Sequence, residues 1–277
     1  MRALTVAAIL AVFDLAIPSS VRAQQLKPDT ERDFECYIQS AERRMASRQV
    51  FLLANSDSGL NEKLVRGCRV ETVPGNSANP HKVSGGLIFD SIGSVFISGA
   101  NLDQTLRMLQ DYDHRSLYFG ETIASSKLLC RRGDGQFRYT MRLKEPAVID
   151  VESDVVWERV DPHRWRCRSY STQVQAVGKD KGYLRRLYSY WRFAETSRGV
   201  YVEGETISLS DPFSSLMRGL GSLMGINPEK SLHHSLESMR ESLQKTGAQF
   251  PGPATGGAEC GEPYQPGHPS ECTETAQ

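Results

Sequence analysis

Two acids, a histidine and two tyrosines fall within residues 109–120, LQDYDHRSLYFG. A histidine beside carboxylates has the composition of a general acid–base pair, and a tyrosine hydroxyl can donate to a developing oxyanion. Asp111, Tyr112, Asp113, His114 and Tyr118 are therefore the first groups to weigh for chemistry. The other candidates offer less. His233 and His234 are adjacent, so on a helix they diverge by about 100° and cannot grip one metal as an i, i+4 pair does. His163 sits in an Asp-Pro-His turn. Ser94, Ser98 and Ser116 lack the G-x-S-x-G setting of a nucleophile turn. GLGSLMG, residues 219–225, is an apolar run broken by glycines, not a strand-to-helix phosphate loop. The cysteines at 36, 68, 130, 167, 260 and 272 show neither C-x-x-C nor Cys–His spacing. No metal, no cofactor and no catalytic residue is assigned from these motifs.

Whether the 109–120 cluster can act depends on the elements that hold it. ANLDQTLRMLQDY places Leu102, Leu106 and Leu109 on one helical face, behind Asn101 as a cap. The acids and tyrosines fall where that helix ends and the chain crosses to the next strand. The pattern predicts Tyr112 and Tyr118 as anchors of the helix against the sheet edge, with both acids capping or solvated. This is a joint, and His114 would serve as a base only if it faced a cavity.

From residue 85 the apolar period is two. GGLIFDSIGSVFISG reads as a long first strand, and after the helix ETIASSKLLCRR turns through RGDG into QFRYTMRL. Tyr139 and Met141 alternate with Arg138 and Arg142, and Ser153 and Trp157 with Asp154 and Glu158. Trp165, Cys167, Ser169 and Ser171 alternate with Arg164, Arg166 and Arg168. Leu187, Ser189, Trp191 and Phe193 oppose Arg186 and Arg192, and Gly204 and Thr206 oppose Glu203 and Glu205. Seven such strands describe one antiparallel sheet, wet on its charged side. Asn227-Pro228 then opens a helix whose stripe is Leu232, Leu236, Met239 and Leu243, a cover for the apolar side.

The inward face is the informative feature. It mixes Tyr139, Met141, Trp157, Trp165 and Trp191 with Ser153, Ser169, Ser171, Ser189, Gly204 and Thr206. A filled core favours Leu, Ile and Val, because a buried hydroxyl needs a partner. Small polar residues among aromatics suit a cavity that holds a ligand and orients it with a few hydrogen bonds. The alternative is that these serines bond locally to backbone. Met217 and Met224, among the glycines of residues 213–225, suit an apolar flap over the cavity mouth or a patch touching a membrane; the alternative is a kinked helix buried against the sheet. The ligand-binding set expected from sequence is thus Tyr139, Met141, Ser153, Trp157, Trp165, Ser169, Ser171, Trp191, Gly204, Met217 and Met224.

This order of elements, with LDQTLRMLQDYDHRSLYF after the first strand and YSYWRF in a late one, resembles the helix-grip fold of the START-like superfamily, also called SRPBCC. In its polyketide-cyclase-like and lipid-transfer-like members a leucine-striped helix ends at an aromatic and the chain crosses to strand two. The resemblance covers residues 84–247 and implies an α+β helix grip: a curved seven-stranded antiparallel sheet wrapped round a long C-terminal helix. It also implies a cavity for a hydrophobic or lipid-like small molecule, sequestered or transferred. A cyclase- or hydrolase-type enzyme using a tyrosine or His114 in the same scaffold is the second reading. An envelope protein that binds a partner through its N-terminal helix and tail is the third.

Composition bounds these readings. Lys plus Arg and Asp plus Glu both total 33, so no basic field gathers a nucleic acid. Residues 3–17 are apolar apart from Thr5 and Asp14, follow Arg2, and lead through Pro18 to VRA. Residues 1–23 therefore read as a signal peptide for export to the periplasm or beyond. Residues 24–83 are expected to form an extra N-terminal helix and an irregular linker. That helix carries Phe34, Tyr37, Ile38, Ala41 and Met45, with Asp29 or Thr30 as its cap. Residues 248–277, with five prolines and five glycines, are expected to be a disordered tail. Export permits disulfides. Cys36 with Cys68 and Cys260 with Cys272 are the natural pairings, each closing a loop within one segment, while Cys130 and Cys167 could equally be small buried residues in strands.

Overall fold

The alternating segments pair as strands in the computed structural model, which describes residues 26–67, 69–72, 79–144, 147–178, 183–212, 228–245, 249–254, 258–269 and 272. Seven long strands form the sheet: β3 (Gly86–Ser98), β4 (Ile123–Arg132), β5 (Gln136–Leu143), β6 (Ile149–Asp161), β7 (Arg164–Ala176), β8 (Leu184–Thr196) and β9 (Gly199–Ser210). Their spatial order is β3-β9-β8-β7-β6-β5-β4, every pair antiparallel. Three short strands extend this count. β1 (Arg69–Thr72) and β2 (His81–Val83) pair with β3, and β10 (Ala258–Glu259) runs parallel to β4.

Each of α3 (Leu102–Gln110) and α4 (Arg115–Tyr118) lies on the path from β3 to β4, strands at opposite ends of that order. Asn101 caps α3, its Oδ1 accepting from the Gln104 N–H at 2.9 Å. α5 (Pro228–Gln244) lies on the inner face and sends Leu232, Leu236, Met239 and Leu243 into a core with Val95, Ile97, Val202 and Phe193. Bulges such as the one at Glu152/Ser153 bend the strands. Strand, helices, six strands and a final helix held by the sheet make this the α+β helix grip that the START-like resemblance implies.

Part of the outer face is covered, contrary to expectation, while the Arg142–Asp150 and Arg166–Glu158 pairs stay exposed. α1 (Pro28–Ala46) lays Phe34, Ile38, Ala41 and Met45 on Ile88, Tyr188, Ile207 and Leu209. A short helix absent from the sequence reading, α2 (Ser58–Arg66), packs Leu60 and Leu64 on Phe96 and Tyr201. Asp90, Glu203 and Glu205 are consequently buried. Alternation reports polarity, and arginines let polarity be covered. Arg48 donates to Glu203 at 2.7 Å and to Glu205 at 3.1 Å, Arg44 donates to Asp90 at 3.1 Å and also to Glu205, and Arg192 donates to Glu203 at 3.3 Å. α1 itself begins at Pro28, and Lys27 makes no side-chain cap; Asp29 lies in the first turn, where a negative charge meets the helix dipole.

The C-terminal segment also departs from expectation. Phe250 packs in the core against Tyr118, and the Arg107 Nε donates to the Phe250 carbonyl at 2.8 Å. The Tyr264 N–H donates to Asp154 at 2.6 Å, and its hydroxyl lies 3.0 Å from that of Tyr188. Two disulfides tie this segment down, Cys130–Cys260 to β4 and Cys36–Cys272 to α1. Both expected pairings were local, and both are wrong: sequence proximity does not show which strand edge a returning chain will follow. Cys167 is a free buried thiol, and Cys68 lies outside the described residues. The N-terminal helix and tail that a partner-binding reading would use are applied to the sheet.

Glu35 is buried between α1 and this segment, with the Tyr264 hydroxyl 3.3 Å away. Burial pushes its carboxyl up from 4.5 to about 7. The folded state then holds the proton more tightly than the unfolded chain, so stability present below about pH 4.5 is lost as pH rises through about 7. Asp90, raised by burial and by Glu205, adds a loss of the same sign. Glu35→Gln is expected to flatten the wild-type decline by about 1–3 kcal/mol, measured by urea unfolding at the two ends of that window. Identical slopes in both proteins would contradict this.

Candidate ligand cavity

The register aligns inward side chains into transverse rows. One runs Gly93, Gly204, Trp191, Cys167 and Trp157 across β3, β9, β8, β7 and β6. The next runs Ser91, Thr206, Ser189, Ser169 and Val155 across the same strands. A third holds Ser208 beside Leu187, and Ser171 beside Ser153 and Tyr139. Gly204 makes the first row possible. A Cβ there would stand 2.4 Å from the Trp191 ring, so only glycine lets the indole lie on the strand. Its Nε1 then donates to Ser189 Oγ at 3.1 Å.

Among the described residues, this face and α5 border a cavity of about 490 Å³. Tyr139, Met141, Trp157, Trp191, Phe193 and Met239 supply its apolar wall, and Ser153, Ser169, Ser189, Thr206, Ser208 and Ser210 line it with hydroxyls. Apart from Ser189, none of these hydroxyls is held by a hydrogen bond among the described residues. The volume lies within the roughly 300–1,000 Å³ of small-molecule pockets. Arg115, Glu121, Lys230 and His234 add charge or a titratable ring to the lining.

Of the expected set, Tyr139, Met141, Ser153, Trp157, Ser169 and Trp191 line the cavity. Gly204 does not line it; it lies beneath Trp191. Ser171 is buried to one side, where its Oγ accepts from the Leu187 N–H at 3.0 Å, the local backbone role that was the alternative for these serines. Trp165 is one row beyond Cys167 along β7 and packs against the core instead. Met217 and Met224 lie outside the described residues. Sequence reasoning passed over Ser208, Ser210 and Arg115. The serines continue the alternation of β9 beyond Thr206 and were legible; Arg115 opens a one-turn helix, too short to show a periodicity.

None of Asp111, Tyr112, Asp113, His114 or Tyr118 lines the cavity. Asp111 is buried rather than solvated and is the hub of the joint: it accepts from the Tyr118 hydroxyl at 2.6 Å and lies 2.8 Å from His114 Nδ1. His114 is otherwise open to solvent, and Asp113, also exposed, accepts from the Leu128 N–H at 2.9 Å. Of the groups that the second reading named, His114 is thus outside the cavity, while a tyrosine, Tyr139, borders it. Tyr112 is fully buried between Phe137 and Tyr139, and its hydroxyl accepts from Trp157 Nε1 at 2.8 Å. Tyr112→Phe leaves that indole N–H buried without a partner, at an expected cost of about 1–3 kcal/mol. Thermal unfolding checks it, and an unchanged midpoint would show that the indole finds water. Cys167 also borders the cavity, its thiol pushed up to about 12 by burial and so held neutral.

No family model and no curated protein matches the chain. Solved structures do resemble it. A STAR-related lipid transfer protein from Xanthomonas axonopodis is 15% identical, with a TM-score of 0.45, over 65% of this chain and 99% of that one. The Zhui aromatase/cyclase from a Streptomyces species is 10% identical, with a TM-score of 0.46, over 62% of this chain and 99% of that one. Human STARD10 is 10% identical, with a TM-score of 0.41, over 79% of this chain and 82% of that one. The likeness is to START-domain and aromatase/cyclase proteins, and it is a likeness of fold.

Proposed function

We propose that the protein binds a hydrophobic or amphipathic small molecule between the sheet and α5, and sequesters or transfers it. The observation that carries this reading is the cavity of about 490 Å³, in which an aromatic wall faces hydroxyls that, apart from that of Ser189, have no hydrogen-bond partner among the described residues. Apolar burial supplies affinity at roughly 25 cal/mol per Å², less the cost of ordering the ligand. The hydroxyls orient whatever polar group the molecule carries. Native mass spectrometry and solvent extraction of the purified protein test the reading, with a co-purifying lipid-like species as the expected result. A protein that is always empty, and that takes up no apolar fluorescent probe, overturns it.

Export is part of the proposal. Two disulfides suit an oxidising compartment, and residues 1–23, outside the described residues, carry the signal-peptide pattern. The apolar, glycine-broken run of residues 213–225 supplies peripheral membrane contact during loading.

A further inference from the structure

We infer that the bound molecule carries an oxyanion head, carboxylate or phosphate, and that Arg115 receives it; this deepens the cavity reading and rests on it. Arg115 borders the cavity, with its guanidinium carbon 4.8 Å from the Tyr112 ring centre and 4.7 Å from that of Tyr139. One arm of the fork is committed: Nη2 donates to the Leu109 carbonyl at 2.8 Å. Nε is buried and has no hydrogen-bond partner among the described residues.

Glu121 is the one carboxylate among the described residues lining the cavity, and it lies beside His234 rather than pairing with Arg115. Several other arginines meet carboxylates: Arg138 with Asp154, Arg142 with Asp150, Arg166 with Glu158 and Arg48 with Glu203. Among the described residues Arg115 forms no such pair. Two ionisable neighbours stay neutral. Burial pushes the Cys167 thiol up to about 12 and the Tyr112 hydroxyl higher still. A buried N–H donor without an acceptor is unfavourable, and an incoming oxyanion relieves it.

The geometry suits that role. Two aromatic rings hold the guanidinium plane, and a guanidinium fork matches carboxylate and phosphate oxygens better than a point charge does. Ser153 pairs with Tyr139 in register and lines the same cavity, so its unclaimed hydroxyl is the second donor. Trp157, Trp191 and Met239 remain for an apolar chain.

The test compares three probes that share a tail: dodecanoate, dodecyl phosphate and dodecanol, titrated into the full chain and read by calorimetry. One or both anions should bind roughly ten- to a hundredfold tighter than the alcohol, and the tighter of the two identifies the head. Arg115→Met should remove that preference, so that in the variant the anions bind within a few-fold of dodecanol. Arg115→Lys keeps the charge but not Nε, and should retain only part of it. Equal affinity of wild type for all three probes overturns the inference, as does an undiminished anion preference in Arg115→Met. If Arg115→Met fails to fold, seen as lost dodecanol binding, the wild-type comparison decides alone. Binding of none of the three overturns the cavity function itself, an outcome distinct from loss of head-group preference.

Discussion

Replacing Cys130 and Cys260 by serine is expected to lower stability by about 3–5 kcal/mol and to release the C-terminal segment to protease. β10 is two residues long, and the segment's other ties include Cys36–Cys272, Phe250 in the core, the Arg107 bonds to the chain at Phe250 and Pro251, the exposed Arg132–Glu262 pair and the contacts of Tyr264. Cys130–Cys260 spans 130 residues of sequence and Cys36–Cys272 spans 236, so each removes a large loop entropy from the unfolded chain. Loosening the segment also uncovers Tyr188 and Glu35, which adds to the loss. Urea unfolding of the variant and of the reduced wild type measures the effect, and limited proteolysis locates it. A shift below about 1 kcal/mol would mean that the segment is held without its sulfur bridge.

Arg48→Ala should cost a similar amount, about 3–5 kcal/mol, for a different reason. Arg44, Arg48 and Arg192 face Asp90, Glu203 and Glu205 between α1 and the sheet, three charges of each sign. Glu203 and Glu205 are 2% and 0% exposed, and Arg48 reaches both. Removing it leaves one buried negative charge without compensation. The Leu53 N–H, which donates to Glu203 at 2.7 Å, cannot replace a cation. The loss should show as a lower urea midpoint with an unchanged slope. It should be larger than that of Arg142→Ala, whose pair with Asp150 is exposed and contributes little. Equal effects at the two sites would mean that water reaches the α1 interface.

The sequence alone determined the seven long strands, the RGDG hairpin, the leucine-striped α3 and the stripe of α5, because a period of two or of 3.6 is written in neighbouring residues. It also separated the two faces of each strand, and so brought together Tyr139, Ser153, Trp157, Ser169 and Trp191, which do border one cavity. Identity of a face carries no information on what covers it. The charged side looked wet because nothing local announces that Arg44 and Arg48 will reach Glu205 from residues some 160 positions away. The disulfides were misread for the same reason, since both partners lie far apart in sequence. Trp165, Ser171 and Gly204 share the inward face but not the cavity, a difference set by their row along the strand. Arg115 became a candidate only when the fold placed its side chain over Tyr112 and Tyr139 without a carboxylate. Periodic packing is local and legible; burial, charge pairing and enclosure are sums over distant segments, and the tertiary structure alone decides them.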